Sequence, residues 1–383
     1  MPVSGPLSGI TVVDLSRILA GPYCTFLLAE LGARVIKIEP PGKGDDAREY
    51  GPFKNGISTY FSSINRGKES IALDLKADAD RSVLDRLLER ADVVVENFRP
   101  GTMEKLGYGW ETLHARYPKL IYASASGFGH SGPLSKEPAY DMVVQGLGGI
   151  MSITGHPGQP PVRIGMSIGD IGAGLYTTVA VNAALLHRER TGEATKVDIA
   201  MFDCQLALLE NAIMRYTVSG EVPGPLGARH PSITPFEAFA TATSSIIIAA
   251  GNDALYQKLC AAIGRPDLAA DPNYRTNDLR NRNEPALKAE IERELAKKPA
   301  EVWIEIIGKG GVPCGPINTV DRALANPQVE ARNMLITVED PKAGTLKLAG
   351  NPLKFSAFPD PPTRSPAPAL DADRAKLLRE LGL

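Results

Sequence analysis

The sequence predicts an α/β protein: a large domain built on a doubly wound parallel sheet, and a smaller α+β domain joined to it by long linkers. Three observations carry that expectation. Short apolar runs alternate with helical segments between residues 10 and 129. A Pro-rich stretch, 222–235, interrupts the chain before a second region of strand and helix. The tail from 328 returns to strand-like runs before a terminal helix. With 383 residues, 43% hydrophobic and 22% charged, the chain has the composition of an ordinary enzyme and is long enough to bury full cores.

The first run, ITVVDLS at 10–16, reads as a buried strand. AGPYCTFLLAELGA reads as a helix opening after Gly21-Pro22 and closing at Gly32, and RVIKIEPP as a strand stopped by Pro40-Pro41. Strand, crossover helix, strand is the unit of a parallel sheet. It recurs in SIALDLK (70–76), in the amphipathic ADADRSVLDRLLERA with Leu84, Leu87 and Leu88 on one face, and in DVVVENF (92–98). GTMEKLGYGWETLHARYP is helical or turn-rich, and LIYASASGFG (120–129) is a further strand. This succession predicts a Rossmann-like large domain over 1–221.

Past 141 the composition shifts to small residues. DIGAGLYTTVAVNAALLHRERTG reads as a long buried helix beginning near Asp170, and KVDIAMFD as a strand or a helix entry. After the linker, the small domain spans 236–327: SSIIIAAG as a strand, ALYQKLCAAIG as a helix, LKAEIERELAKKPAEVWIEIIGKG as a helical pair, closed by VPCGPIN. Residues 328–383 complete the large domain, ending in a short helix capped by Asp371 or Asp373.

Lys+Arg of 42 against Asp+Glu of 44 leaves a net charge of −2, which argues against a nucleic-acid binder working by bulk charge. Cys24, Cys204, Cys260 and Cys314 lack metal-ligand spacing and read as reduced thiols. The opening MPVSGPLSGITVVDLS lacks the pattern of a secretory signal, and no apolar run reaches the roughly 18–20 residues of a membrane span. The expectation is a cytoplasmic protein without nucleic-acid or membrane partners.

The common cofactor fingerprints are absent. The turn after the first strand reads SRILAGP, not GxGxxG; there is no GxxxxGK[ST], no GxSxG and no HExxH, and the five histidines have no ligand spacing. Six other segments stand out: RILAGPYCTFLLAELGARVIKIEPPGKGD, NRGKESIALDLK, ENFRPGTMEKLG, SGFGHSGPLSKEPAYD, RIGMSIGDIGAGLY and KVDIAMFD. In order and spacing they closely resemble the family III CoA-transferases, the group that includes formyl-CoA:oxalate CoA-transferase, over residues 7–358. Within it, NRGKESIALDLK, ENFRPGTMEKLG, YASASGFGHSGPL, the GDD after PPGKG, and ARNMLI look most like the branch using acetyl-CoA and oxalate.

By spacing alone Asp170 reads as a helix N-cap among small neighbours. The resemblance instead makes it the nucleophile of a CoA transfer through aspartyl anhydride and aspartyl-CoA thioester intermediates, with Gly169 and Gly172 giving the acyl and CoA groups close approach to the backbone. It places thioester contacts at Leu19, Ala20, Leu73, Lys76, Asn97, Phe98 and Lys105. Lys76, ending one strand, and Arg99, following another, are cation candidates for the CoA phosphates together with Lys105; Tyr140 joins this set. The resemblance implies no cofactor beyond the CoA thioester substrate, an acyl-CoA and a small carboxylic acid as ligands, and an interlocked homodimer.

Departures narrow the expectation. Leu19 stands where formyl-CoA transferase has glutamine, and GARHPSITPFEAF lacks that enzyme's tetraglycine loop. Tyr140 stands before Asp141 where the racemase branch has a histidine base, and a phenol of pKa about 10 is a poor base near neutrality. The expected donor and acceptor are acetyl-CoA and oxalate. The alternatives are a succinyl- or formyl-CoA-dependent dicarboxylate transfer, a 2-methylacyl-CoA racemase, and a non-catalytic CoA-binding protein.

Overall fold

The computed structural model of the chain describes residues 4–383, and it divides into two compact units. The first takes the chain through Ser152, then Val162–Pro223 and Pro327–Leu383; the second comprises Ile153–Pro161 and Gly224–Asn326. The Pro-rich 224–235 thus packs within the second unit, as does 153–161, which the sequence reading left in the large domain.

The first unit is built on β1 (Thr11–Asp14), α1 (Ala20–Glu30), β2 (Arg34–Glu39), β3 (Glu69–Ala72), α2 (Asp78–Arg90), β4 (Val93–Glu96), β5 (Ile121–Ser126), α3 (Asp141–Leu147), α4 (Ile168–Thr191), β6 (Lys196–Ala200) and α5 (Met201–Leu208). The six strands form one parallel sheet in the order β3-β2-β1-β4-β5-β6, the doubly wound order, with the reversal between β1 and β4. Both faces are covered, so adjacent strand residues enter opposite cores. Val13, Ile36, Ile71 and Val94 pack with Leu84, Leu87 and Leu88 of α2; Val12, Val35, Val93 and Val95 pack with Leu28 of α1 and Val181 and Leu185 of α4.

Several boundaries differ from the sequence reading for physical reasons. Helix α1 opens at Ala20, ahead of Gly21-Pro22, because a proline in the first turn forfeits no intrahelical hydrogen bond. Strand β3 ends at Ala72, so Lys76 lies in the turn beyond it and does not end a strand. The small-residue stretch after 141 contains α3, and KVDIAMFD is both alternatives at once, β6 running directly into α5.

In the second unit, β7 (Phe236–Ala240), β8 (Ser245–Ala249) and β9 (Cys314–Pro316) make an antiparallel sheet in the order β9-β8-β7. Phe239, Ile246 and Ile248 pack with Leu287, Ile291 and Leu295 of the helix Glu284–Leu295 and with Trp303 of Ala300–Lys309. Residues 327–383 rejoin the first unit with the hairpin β10 (Leu335–Asp340) and β11 (Gly344–Ala349) and the helix α6 (Arg374–Leu381). Neither Asp371 nor Asp373 caps α6 with its side chain. Asp371 instead accepts from the Ala72 N–H (2.8 Å) and Asp373 from the Ser70 N–H (2.9 Å), which satisfies donors on the outer side of the edge strand β3.

Candidate active site

The turn from β1 into α1 is held by side chains from below. Asp14, fully buried, accepts from the Ser16 N–H (2.9 Å), the Ser16 hydroxyl and the Thr25 hydroxyl (2.6 Å), and pairs with Lys68 Nζ at 3.0 Å. Lys68 is itself fully buried and donates also to Asn65 Oδ1 (2.8 Å) and Thr25 Oγ1 (2.7 Å). A second buried pair, Lys37 to Asp45 at 2.9 Å, lies beside it, with Lys37 Nζ also reaching the Ser16 carbonyl (2.7 Å). Burial pushes the Asp14 carboxyl up, but Lys68 and Lys37 outweigh it and hold it at about 2. The Arg17 N–H donates to Asn97 Oδ1 (2.8 Å), Asn97 Nδ2 returns a bond to the Arg17 carbonyl (2.8 Å), and the Ile18 N–H donates to Asp45 (3.0 Å). Three consecutive turn N–H groups are therefore spent on Asp14, Asn97 and Asp45. In a glycine-rich dinucleotide turn such groups would face phosphate.

A cleft of about 360 Å³ opens at the carboxyl ends of β1, β2 and β3, where an open parallel sheet receives ligands. Its walls include Leu15, Ile38, Leu73, Phe98 and Leu106, and its cations are Arg17, Lys37, Lys43 and Lys76. Apolar walls with a few cations suit a nucleotide-bearing ligand.

Asp170 sits in the first turn of α4, half-buried. It is not the N-cap: that position is Ser167, whose side chain makes no capping bond. The capping role falls to Asp141, buried at the start of α3, whose Oδ1 accepts from the Gly169 N–H at 2.8 Å while Oδ2 accepts from Gln145 Nε2 at 2.8 Å. A methyl at Gly169 would stand 2.7 Å from Val144 Cγ2 and 3.0 Å from Asp141 Oδ1, so glycine is what lets the capping carboxylate in. Gly172 faces Leu208 and Cys204 of α5. These two glycines thus turn their bare faces to the protein interior and pack α4 against α3 and α5.

Among the described residues the Asp170 carboxylate has no hydrogen-bond or ion-pair partner. Burial, and secondly the charge of Asp141, push its acidity up to about 7. Three phenols complete the surroundings. Tyr60 is raised to about 12 by burial and then by Asp170; Tyr50 packs edge-on to Tyr60 at 5.7 Å; and Tyr140, highly exposed, adds to the charge felt by Tyr50. An unpaired carboxyl whose protonation is poised near neutrality, at the amino end of a 24-residue helix, has the properties of a nucleophile or proton acceptor.

Of the residues singled out in the sequence, Leu73, Lys76 and Phe98 line the cleft. Asn97 acts on the cleft through the Arg17 backbone. Leu19 and Ala20 are buried rather than cleft-lining; Ala20 packs with Val144, Ala173, Met201 and Cys204. A methyl at Gly174 would meet the Ala20 carbonyl at 2.9 Å, so the start of α1 lies directly on α4. Arg99 and Lys105 are exposed outside the cleft walls, on the loop and short helix Thr102–Leu106 that bring in Leu106. Sequence reasoning missed Tyr60, the capping role of Asp141, and Arg17 and Lys43. The PPGKGDD run was a signal for Lys43, but the others are joined only by tertiary contacts.

A family model described as CoA-transferase family III matches residues 7–374. An acetyl-CoA:oxalate CoA-transferase of Acetobacter aceti is 47% identical over 98% of this chain and 96% of the relative. A succinyl-CoA:mesaconate CoA-transferase of Haloarcula hispanica is 42% identical over 99% and 97%. Among solved structures, a CAIB/BAIF family protein from Brucella suis aligns with a TM-score of 0.86 at 40% identity, covering 99% of this chain and all of that one. With the family model matching nearly the whole chain and named CoA-transferases more than 40% identical along almost all of it, the chain belongs to CoA-transferase family III and is a CoA-transferase.

Proposed function

We propose that the enzyme moves CoA from an acyl-CoA to a dicarboxylate, with Asp170 as the covalent nucleophile and acetyl-CoA and oxalate as the pair. The observation that carries the reading is the partner-free Asp170 carboxylate, poised near neutrality beside Asp141. Its ionised form attacks the thioester carbonyl; the C–S bond breaks, giving a mixed acyl–aspartyl anhydride and CoA thiolate. The thiolate attacks the aspartyl carbonyl and expels the first acid, leaving an aspartyl-CoA thioester. The acceptor carboxylate attacks that carbonyl and expels thiolate, which then takes the acceptor's acyl carbon and returns the Asp170 carboxylate. Every nucleophile is an anion, so no proton is consumed and no further cofactor enters. The Asp170 N–H, which has no partner among the described residues, is the donor nearest to the developing aspartyl oxyanion.

The CoA moiety occupies the cleft, with Leu73 and Phe98 against its apolar parts and Lys76, Arg99 and Lys105 toward its phosphates; Leu19, Ala20 and Asn97 shape the turn beside it, and Tyr140 borders the reacting end. Oxalate, mesaconate and glutarate are named among the relatives' acids, which supports a dicarboxylate acceptor; acetyl-CoA and succinyl-CoA are both named as donors. A panel of acetyl-, succinyl- and formyl-CoA against oxalate, mesaconate, glutarate and monoacids, read by mass spectrometry of new thioesters, tests this. Transfer fastest from acetyl-CoA to oxalate is expected; transfer only from succinyl-CoA replaces the pair, and no transfer with any pair overturns the reading.

The active form in this reading is an interlocked homodimer. Leu175, Val179 and Leu186 make an exposed apolar stripe on α4, with Tyr176 beside it, and a second copy of the chain is its occupant. Sedimentation at nanomolar concentration is expected to show no dissociation; a folded 40.9 kDa monomer overturns it.

A further inference from the structure

Arg163 faces Asp141, the carboxylate neighbouring Asp170, and has no part in the scheme above. It lies in the segment leading into α4, with its side chain 41% exposed. Its Nε donates to the Ile164 carbonyl (3.0 Å) and its Nη2 reaches the Gly165 carbonyl (3.5 Å), so the guanidinium is anchored by its own loop. That loop is fixed in turn: the Ile164 N–H donates to Gln145 Oε1 (3.0 Å), and Gln145 Nε2 donates to Asp141. Nη2 stands 3.9 Å from Asp141 Oδ2, the carboxylate whose charge Asp170 feels. Nη1 has no hydrogen bond among the described residues.

A diacid approaching Asp170 brings two negative charges toward two carboxylates already in place. Its reacting carboxylate must meet the aspartyl carbonyl; its second one needs a cation close by that is not already neutralised. The cations of the cleft do not serve: Lys37 is paired with Asp45, Arg17 and Lys43 lean on Asp46, and Lys76 is taken by the CoA phosphates in the reading above. Arg163 offers a planar donor edge that is pre-oriented, open to solvent and long (3.9 Å) in its only ion pair, the geometry that takes a carboxylate in two parallel hydrogen bonds. We propose that the Arg163 guanidinium receives the second carboxylate of the acceptor, making this residue the selector of diacids over monoacids. The inference rests on the CoA-transfer reading for the identity of the acid.

The test compares wild type with Arg163→Met and Arg163→Lys. Calorimetric titration with oxalate, succinate and acetate, at saturating free CoA, reads acid binding without turnover; initial rates read the diacid-to-monoacid ratio of kcat/KM. The methionine variant is expected to lose about 10–100-fold in diacid affinity and in that ratio, with acetate binding and the acyl-CoA KM within about two-fold of wild type. The lysine variant is expected to fall between. Equal losses for diacids and acetate, the signature of a loop that has merely come loose, overturn the proposal, as does an unchanged ratio. Should no acid accept CoA from any donor, the function proposed above fails, while the titration still decides whether Arg163 binds diacids.

Discussion

Asp14 and Asp170 belong to the same compact unit and carry the same side chain, yet their surroundings pull their acidities in opposite directions. Asp14, wholly buried, has a lysine at 3.0 Å and three hydrogen-bond donors, and stays ionised down to about pH 2. Asp170, less buried, has no donor and an aspartate for a neighbour, and holds its proton up to about 7. Where charge is matched, it fixes backbone; where it is left unmatched, the group remains free to react. The stability consequences have opposite signs. For Asp14 the folded state binds protons more weakly than the unfolded chain, so its contribution is present above about pH 4 and is lost as pH falls toward 2. For Asp170 the folded state binds the proton more tightly, so stability falls as pH rises from about 4 to 7.

Five substitutions would break or sharpen this contrast. The largest effect is expected of Asp170→Asn: transfer measured by thioester exchange falls by about 10⁴-fold or more, since no regenerable carboxylate remains. The same variant should melt higher than wild type at pH 8 and no higher at pH 4, with a gain on the order of 1–2 kcal/mol once solvent access is allowed for; an unchanged melting difference across pH would contradict the raised acidity. Lys68→Met should do the reverse, removing about 3–5 kcal/mol in denaturant titrations by stranding Asp14 without its partner. Asp141→Asn keeps an oxygen to cap Gly169 but deletes the repelling charge. The acid limb of its rate profile, rising through about pH 7 in wild type as Asp170 ionises, should move down by about one unit with the fold intact. The smallest expected effect separates two lysines: Lys76→Ala, in the cleft wall, should raise the acyl-CoA KM about three- to ten-fold at low salt, and Lys105→Ala, outside it, by less. Equal effects would mean that the phosphates pass over both.

The alternation of apolar strand and amphipathic helix was readable because each core face takes its residues at a fixed period: Val12 and Val13 divide between the two faces, and Leu84, Leu87 and Leu88 share one. Asp170 was readable only through its wording, GD-x-x-x-G, since its spacing alone described a cap. That cap turned out to be Asp141, which lies 28 residues from the N–H it satisfies. Tyr60 could not be foreseen at all: nothing local marks a tyrosine in a short helix as the neighbour of an aspartate more than a hundred residues on. That Leu19 and Ala20 are buried was hidden for the same reason. The contact of Ala20 with α4 depends on Gly174, and a close helix crossing leaves no periodic trace in either stretch of sequence.

The two carboxylates that seal the outer strand, Asp371 and Asp373, are synthesised long after the strand itself. During translation β3 is complete some three hundred residues before its outer N–H groups find their acceptors, so the nascent sheet must wait with one side open. Loss of the segment that carries them would therefore leave the sheet's own residues in place and still expose a strand able to recruit another chain.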